Sequence, residues 1–142
     1  MVMMGEIGFH YELDFEIENE LRIETWIRNL IQEENCILKE LTYIFCDDEY
    51  LLKINQEHLN HDYYTDIITF DYDEDELHSD LFISVDRVRD NAKTYNKSFE
   101  NEFCRVVAHG VLHLCGYKDK SEEDEKEMRA KEDYYLSKLQ FD

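Results

Sequence analysis

The sequence has 142 residues, a formal net charge of −20, 43% hydrophobic residues and 13% aromatic residues. That is enough apolar material for a domain with its own core, and it excludes a disordered chain or a miniature held by disulfides. The acidic balance excludes broad, sequence-independent attraction to nucleic acid, which rests on Lys and Arg contacts to phosphate, but leaves room for a local basic groove or an acidic face docked on a basic partner.

Residues 7–13, IGFHYEL, alternate and are rich in β-formers, which predicts a strand. Residues 18–35 place Leu21, Ile23, Trp26, Ile27, Leu30 and Ile31 largely on one face of a helix. ELTYIFC (40–46) predicts a second strand, and DDEYLLKINQEHL a helix capped by Asp47 or Asp48. TDIITFDY (65–72) predicts a third strand, DEDELHSD (73–80) an acidic connection and DLFISVD (80–86) a fourth strand. A helix is expected from about Asp86 to Asn96. FENEFCRVVAHGVLHLCG (99–116) predicts a core helix, because Phe103, Val106, Val107, Val111, Leu112 and Leu114 cover more than one face. Gly116 sits where a glycine would end it. The last segment opens on Ser121 with a capping-box pattern and is expected to run as an amphipathic helix to the C-terminus.

There is no proline, no Gly/Ser-rich stretch and no internal repeat, so residues 1–142 are expected to form a single domain. Strands clustered among helices predict an α+β fold: a four-stranded mixed sheet packed with helices, one of them a core helix that binds metal. No apolar run approaches the roughly eighteen residues a transmembrane helix needs, and the opening residues lack a basic segment followed by a cleavage site, so a cytoplasmic protein is expected. Cys36, Cys46, Cys104 and Cys115 are scattered without a C-x-x-C pair and are expected to be reduced and semi-buried.

The chemistry concentrates in residues 109–119, HGVLHLCGYKD. His109 and His113, four apart on a helix, share one face about a turn apart, the bite geometry of a metal pair. Gly116 then lets the chain turn back, and Asp119 can return a carboxylate. Two imidazoles and one carboxylate make a reasonable three-ligand zinc set with an open position. The spacing is that of metzincin proteases, but their glutamate base is replaced by Gly110 and their third histidine by Asp119. The metal scaffold is kept and the protease reading falls. The bland alternative makes His109 and His113 core histidines bonded to backbone carbonyls, and Asp119 a residue near the N-terminus of the last helix.

HGVLHLCGYKD resembles the signature H-G-x-L-H-L-x-G-Y-D-H of the YbeY family of metal-dependent endoribonucleases. INQEHLNHDYYTDIITFDY (54–72) and SDLFISVDRV (79–88) resemble two further blocks of that family, in the same order. The resemblance implies a single-strand-specific endoribonuclease acting in small-subunit rRNA maturation and ribosome quality control, with one Zn²⁺ per chain. It implies rRNA precursor and the ribosomal small subunit or its proteins as partners, and no membrane. His109 and His113 match two metal ligands, and Asp119 stands at the third histidine, which also moves the preference towards other divalent metals. Asp66, in the family's T-D pair with Thr65, is implied as a carboxylate near the metal or lining the RNA groove; the bland role is a hydrogen bond where the strand begins. Lys118 stands at a family aspartate, and Leu59 at an arginine associated with nuclease activity. Leucine can neither hold a phosphate nor stabilise its charge, and Lys118 is the candidate replacement cation. Arg87, Arg89, Lys93 and Lys97 fall on or beside one predicted helix, as a positive strip or as ordinary partners of nearby acids, with Arg105 on the next. Two other readings stand beside this one: a different metal-dependent hydrolase on the same scaffold, and a ribosome-associated binding protein with a structural metal and lapsed activity.

Overall fold

The computed structural model describes residues 5–60 and 63–139. Chain order is β1 (Glu6–Tyr11), α1 (Glu20–Glu33), β2 (Leu38–Cys46), α2 (Asp48–His58), β3 (Ile67–Asp71), β4 (Leu77–Ser84), α3 (Val85–Thr94), α4 (Phe99–Leu114) and α5 (Glu122–Leu136). The sheet runs β1-β2-β4-β3. β1 and β4 are parallel to β2, and β3 is antiparallel to β4, so the sheet is mixed and the fold α+β, as expected.

Alternation along the strands sorts the two faces. Leu41, Tyr43, Phe45, Leu81 and Ile83 are fully buried and belong to the main core with α1, α4 and the buried face of α5. α4 is the hub of that core. Val107, Ala108, Val111 and Leu112 lose all solvent exposure, and the buried Tyr43 hydroxyl donates to the Val107 carbonyl at 3.3 Å. Gly110 presses closest to the sheet: a Cβ there would stand 2.7 Å from Ile67 Cδ1 and 2.7 Å from Leu81 Cδ2. On the other sheet face, α2 packs Leu51 against Ile68 and Cys46, with Ile54, Phe70 and Phe82 around them.

Helix starts follow the caps. Asp47, Ser84, Ser98 and Ser121 each accept from a backbone N–H at the head of α2, α3, α4 and α5, and Asp124 closes the capping box of α5. Helix ends replace proline with left-handed residues. Asn35, Asn60 and Asn96 have φ of 59°, 56° and 56°, and each lies just past a helix.

Several boundaries differ from expectation: β1 ends at Tyr11, β3 is Ile67–Asp71, and α5 stops at Leu136 with Ser137 as its C-cap instead of running to the C-terminus, whose last residues, 140–142, lie outside the described ones. β4 begins at Leu77, so the acidic connection shrinks to a turn in which the Asp73 carboxylate accepts from Asp75 and Glu76 N–H at 2.8 and 3.1 Å. β4 also ends at Ser84, which caps α3 at once, so the helix replaces the last two predicted strand residues. The four cysteines are unpaired; Cys46 and Cys104 are buried, and Cys36 and Cys115 half-buried. Among the described residues no helix is long and apolar enough to cross a membrane.

Candidate metal centre

The site is built by the end of α4. Past the last turn, Tyr117 N–H donates to Leu112 O at 3.1 Å and Gly116 N–H to His113 O at 3.1 Å, a Schellman turn. Gly116 has φ of 111°, a conformation costly for any residue with a Cβ. The turn reverses the chain and brings Asp119 back onto α4, where its Oδ2 stands 3.3 Å from His109 Nε2.

The other ring nitrogen of His109 is held from α5. His109 Nδ1 stands 2.8 Å from Glu132 Oε2. The second oxygen of Glu132 accepts from Arg105 Nη1 at 2.8 Å, and Arg105 Nη2 donates to Asp133 Oδ1 at 2.7 Å. Arg105 and His109 are one turn apart on α4, so two residues of one helix grip two adjacent acids of another. The Glu132 and Arg105 side chains are 5% and 12% exposed, so this is an interior ion pair. Burial alone opposes charge on His109. The Glu132 hydrogen bond and the charges of Glu132, Asp66 and Asp119 outweigh it and raise its pKa above the ordinary imidazole value.

Asp66 lines the same cleft of about 820 Å³, with His109, Glu102, Arg105, Asp119 and Glu132. Burial pushes the Asp66 carboxyl up, against the pull of His109 and of the backbone N–H groups of Asp66 and Ile67. The carboxylate accepts from backbone where β3 begins and lines the cleft. The loop leading to it is tied to α2 by Asn55, 1% exposed, whose Nδ2 donates to Tyr63 O at 2.9 Å.

Other candidates stand apart. His113 is exposed, one turn beyond His109, and is not part of the His109–Asp119 pair. Lys118 is exposed and lines a neighbouring hollow with Glu34, Tyr117 and Asp124. Leu59 is the C-cap of α2, 39% exposed, and does not line the cleft. Gly110 faces the sheet, so the position of a protease's glutamate has no room for a side chain aimed at the histidines. Of the basic strip, Arg87 is paired with Asp48 and Asp90, and the Arg89 guanidinium lies over Phe99.

Among the described residues no three His, Cys, Asp or Glu side chains already converge as a metal-holding group. The pair that does converge fits zinc. Two ligands about 2.0–2.1 Å from a tetrahedral zinc stand about 3.3–3.4 Å apart, and His109 Nε2 and Asp119 Oδ2 are 3.3 Å apart. A ring nitrogen held by a buried carboxylate while the other faces the ion is the usual support of a metal-binding histidine. Glu132 lies outside the 109–119 motif, which does not point to it. Its signal was a charged residue on the stripe of Met128, Tyr135 and Leu136, the buried face of α5.

The model of the family described as endoribonuclease YbeY matches residues 10–140. The chain is 56% identical over 131 residues to a Flavobacterium psychrophilum protein named endoribonuclease YbeY, covering 92% of this chain and 94% of the relative. It is 47% identical over 135 residues to a protein of the same name from Cytophaga hutchinsonii, covering 94% of each. The solution structure of TM1509 from Thermotoga maritima has the same fold, with a TM-score of 0.67 and 25% identity over 93% of this chain and 87% of that one.

Proposed function

The chain belongs to the YbeY endoribonuclease family, and from that premise we propose that it is a zinc-dependent endoribonuclease cleaving single-stranded RNA in the His109 cleft. The observation that carries this reading is the imidazole of His109, held at Nδ1 by buried Glu132 and met at Nε2 by Asp119. His109, His113 and Asp119 would hold the ion, with His113 supplied from the next turn of α4. Bound there, zinc supplies Lewis-acid polarisation of a phosphoryl oxygen.

The chain's own residues do the rest. Glu132 fixes the proton of His109 on Nδ1 and leaves Nε2 facing the cleft; Arg105 balances the charge that Glu132 buries. Asp66, its carboxyl raised by burial, is the group suited to take the proton from an attacking water or ribose 2′-OH. Lys118 enters as a cation beside the ligand loop, and unchanged cleavage in Lys118→Ala would remove it. The substrate is the precursor of small-subunit rRNA, met on the ribosomal small subunit or its proteins in the cytoplasm, with a role in ribosome quality control. An enzyme carrying −20 overall would need few phosphate contacts of its own if the ribonucleoprotein presents the RNA.

The test is cleavage of rRNA precursor by the zinc-loaded protein, beside His109→Ala and Asp66→Asn. Cleavage in the wild type, lost in both variants, supports the reading. A wild type that binds small subunits but cuts no RNA would instead favour the lapsed, ribosome-binding protein, the reading that Leu59 at the arginine position supports.

A further inference from the structure

An acidic nuclease has to hold its substrate by something other than a broad positive surface. The one arginine deep in the cleft, Arg105, is already bound to Glu132 and Asp133. Much of the remaining lining is acidic, including Asp66, Glu102 and Asp119. Phosphate attraction is therefore weak, and affinity for a single strand falls on the faces of its bases, which stack on aromatic rings whatever the charge.

The cleft has such a ring. Tyr95 is the C-cap of α3, is 57% exposed, and lines the cleft that holds His109 and Asp119. The other strongly exposed tyrosines do not line it. Tyr64 bonds Glu49 and lies under Arg87, and Tyr72 bonds Asp80, whereas the Tyr95 ring has neither a hydrogen bond nor a ring contact among the described residues. Lys126 and Arg129, on α5, also line the cleft and are exposed, with no ion-pair partner among the described residues. The lining thus offers one free aromatic face and two exposed cations outside any close ion pair, Lys126 and Arg129, the second of which acts at longer range on Glu102.

Resting on the nuclease reading above, we infer that Tyr95 is a substrate-positioning residue: it stacks an unpaired base of the RNA beside the phosphate that is cut, while Lys126 and Arg129 hold the backbone. The strand crosses the cleft between α3 and α5 over the His109–Asp119 pair. A base inside a duplex has no free face for Tyr95, so the same residue discriminates against paired RNA.

The experiment uses the zinc-loaded full chain and single-stranded RNA of about twelve nucleotides, intact or with one abasic nucleotide placed at each position in turn. Tyr95→Ala should raise KM about tenfold or more with kcat within about twofold, and Tyr95→Phe should restore it. One abasic position should cost the wild type the same factor and cost Tyr95→Ala nothing further. Tyr72→Ala, which removes an exposed ring outside the cleft, should leave KM unchanged. Lys126→Ala with Arg129→Ala should lower the slope of log affinity against log salt by about 1.4, two single-strand phosphate contacts. A Tyr95→Ala enzyme with wild-type KM, or abasic and Tyr95 losses that simply add, overturns the inference while the nuclease reading stands. A wild type that neither binds nor cuts the RNA overturns both.

Discussion

His109 and Glu132 are joined through Nδ1 and Oε2 at 2.8 Å, across the contact between the core helix and the last helix. The carboxylate is interior, the imidazole is at the cleft, and Arg105 lies on the far side of the carboxylate. One α5 residue therefore supports both packing and the orientation of a candidate ligand.

Glu132→Ala should be costly in both respects. Removing one partner of a buried ion pair costs about 3–5 kcal/mol, because the other charge stays buried. Losing the carboxylate behind a metal-binding histidine costs roughly 10–100-fold in metal affinity. Glu132→Gln keeps an acceptor and should lose less stability, so it separates the two effects. Urea denaturation and chelator competition on both variants measure them, and full zinc affinity in folded Glu132→Ala would limit Glu132 to a structural role.

Gly116 sets the return of the chain. With φ of 111° it has nothing within 4 Å of where a Cβ would stand, so Gly116→Ala introduces backbone strain rather than a clash. The expected loss is about 1–2 kcal/mol, with weaker metal binding as Asp119 shifts. A variant as stable as the wild type would show that the turn relaxes without moving the loop.

Acid should release a different knot. Burial pushes the Glu34 carboxyl up, but hydrogen bonds from Tyr135, Tyr117 and Lys131 outweigh it and hold the pKa below the ordinary 4.5. The Tyr117 hydroxyl and Lys131 Nζ stand 2.7 and 3.2 Å from its oxygens. A group depressed in the folded state binds fewer protons there than in the unfolded chain. Its contribution is complete above the unfolded value near 4.5 and is lost as pH falls through the folded value. Glu34→Gln should cost about 2 kcal/mol at neutral pH and flatten the acid limb of stability against pH. An acid limb unchanged in the variant would exclude Glu34 as its source.

Much of the fold was legible because apolar spacing and caps agreed. Trp26, Ile27, Leu30 and Ile31 share the buried face of α1, and Asp47 and Ser121 cap the helices they open. The local pattern starts β4 three residues late because Leu77 stands among acids, and pairing with β2 and β3, which no local pattern shows, extends the strand over them. The return of Asp119 to His109 followed from Gly116. The grip of Glu132 and Arg105 did not, because it joins residues 27 apart in sequence and depends on how α5 lies against α4. The spacing of His113 from His109 was equally legible, yet its ring remains outside the pair, since spacing fixes a shared helix face and not a rotamer.

The most direct measurement is metal content per chain by elemental analysis, for the wild type beside His113→Ala and Asp119→Ala. The proposed site requires about one zinc in the wild type and its loss in both variants. A wild type free of metal, or an Asp119→Ala protein that keeps its zinc, would contradict it.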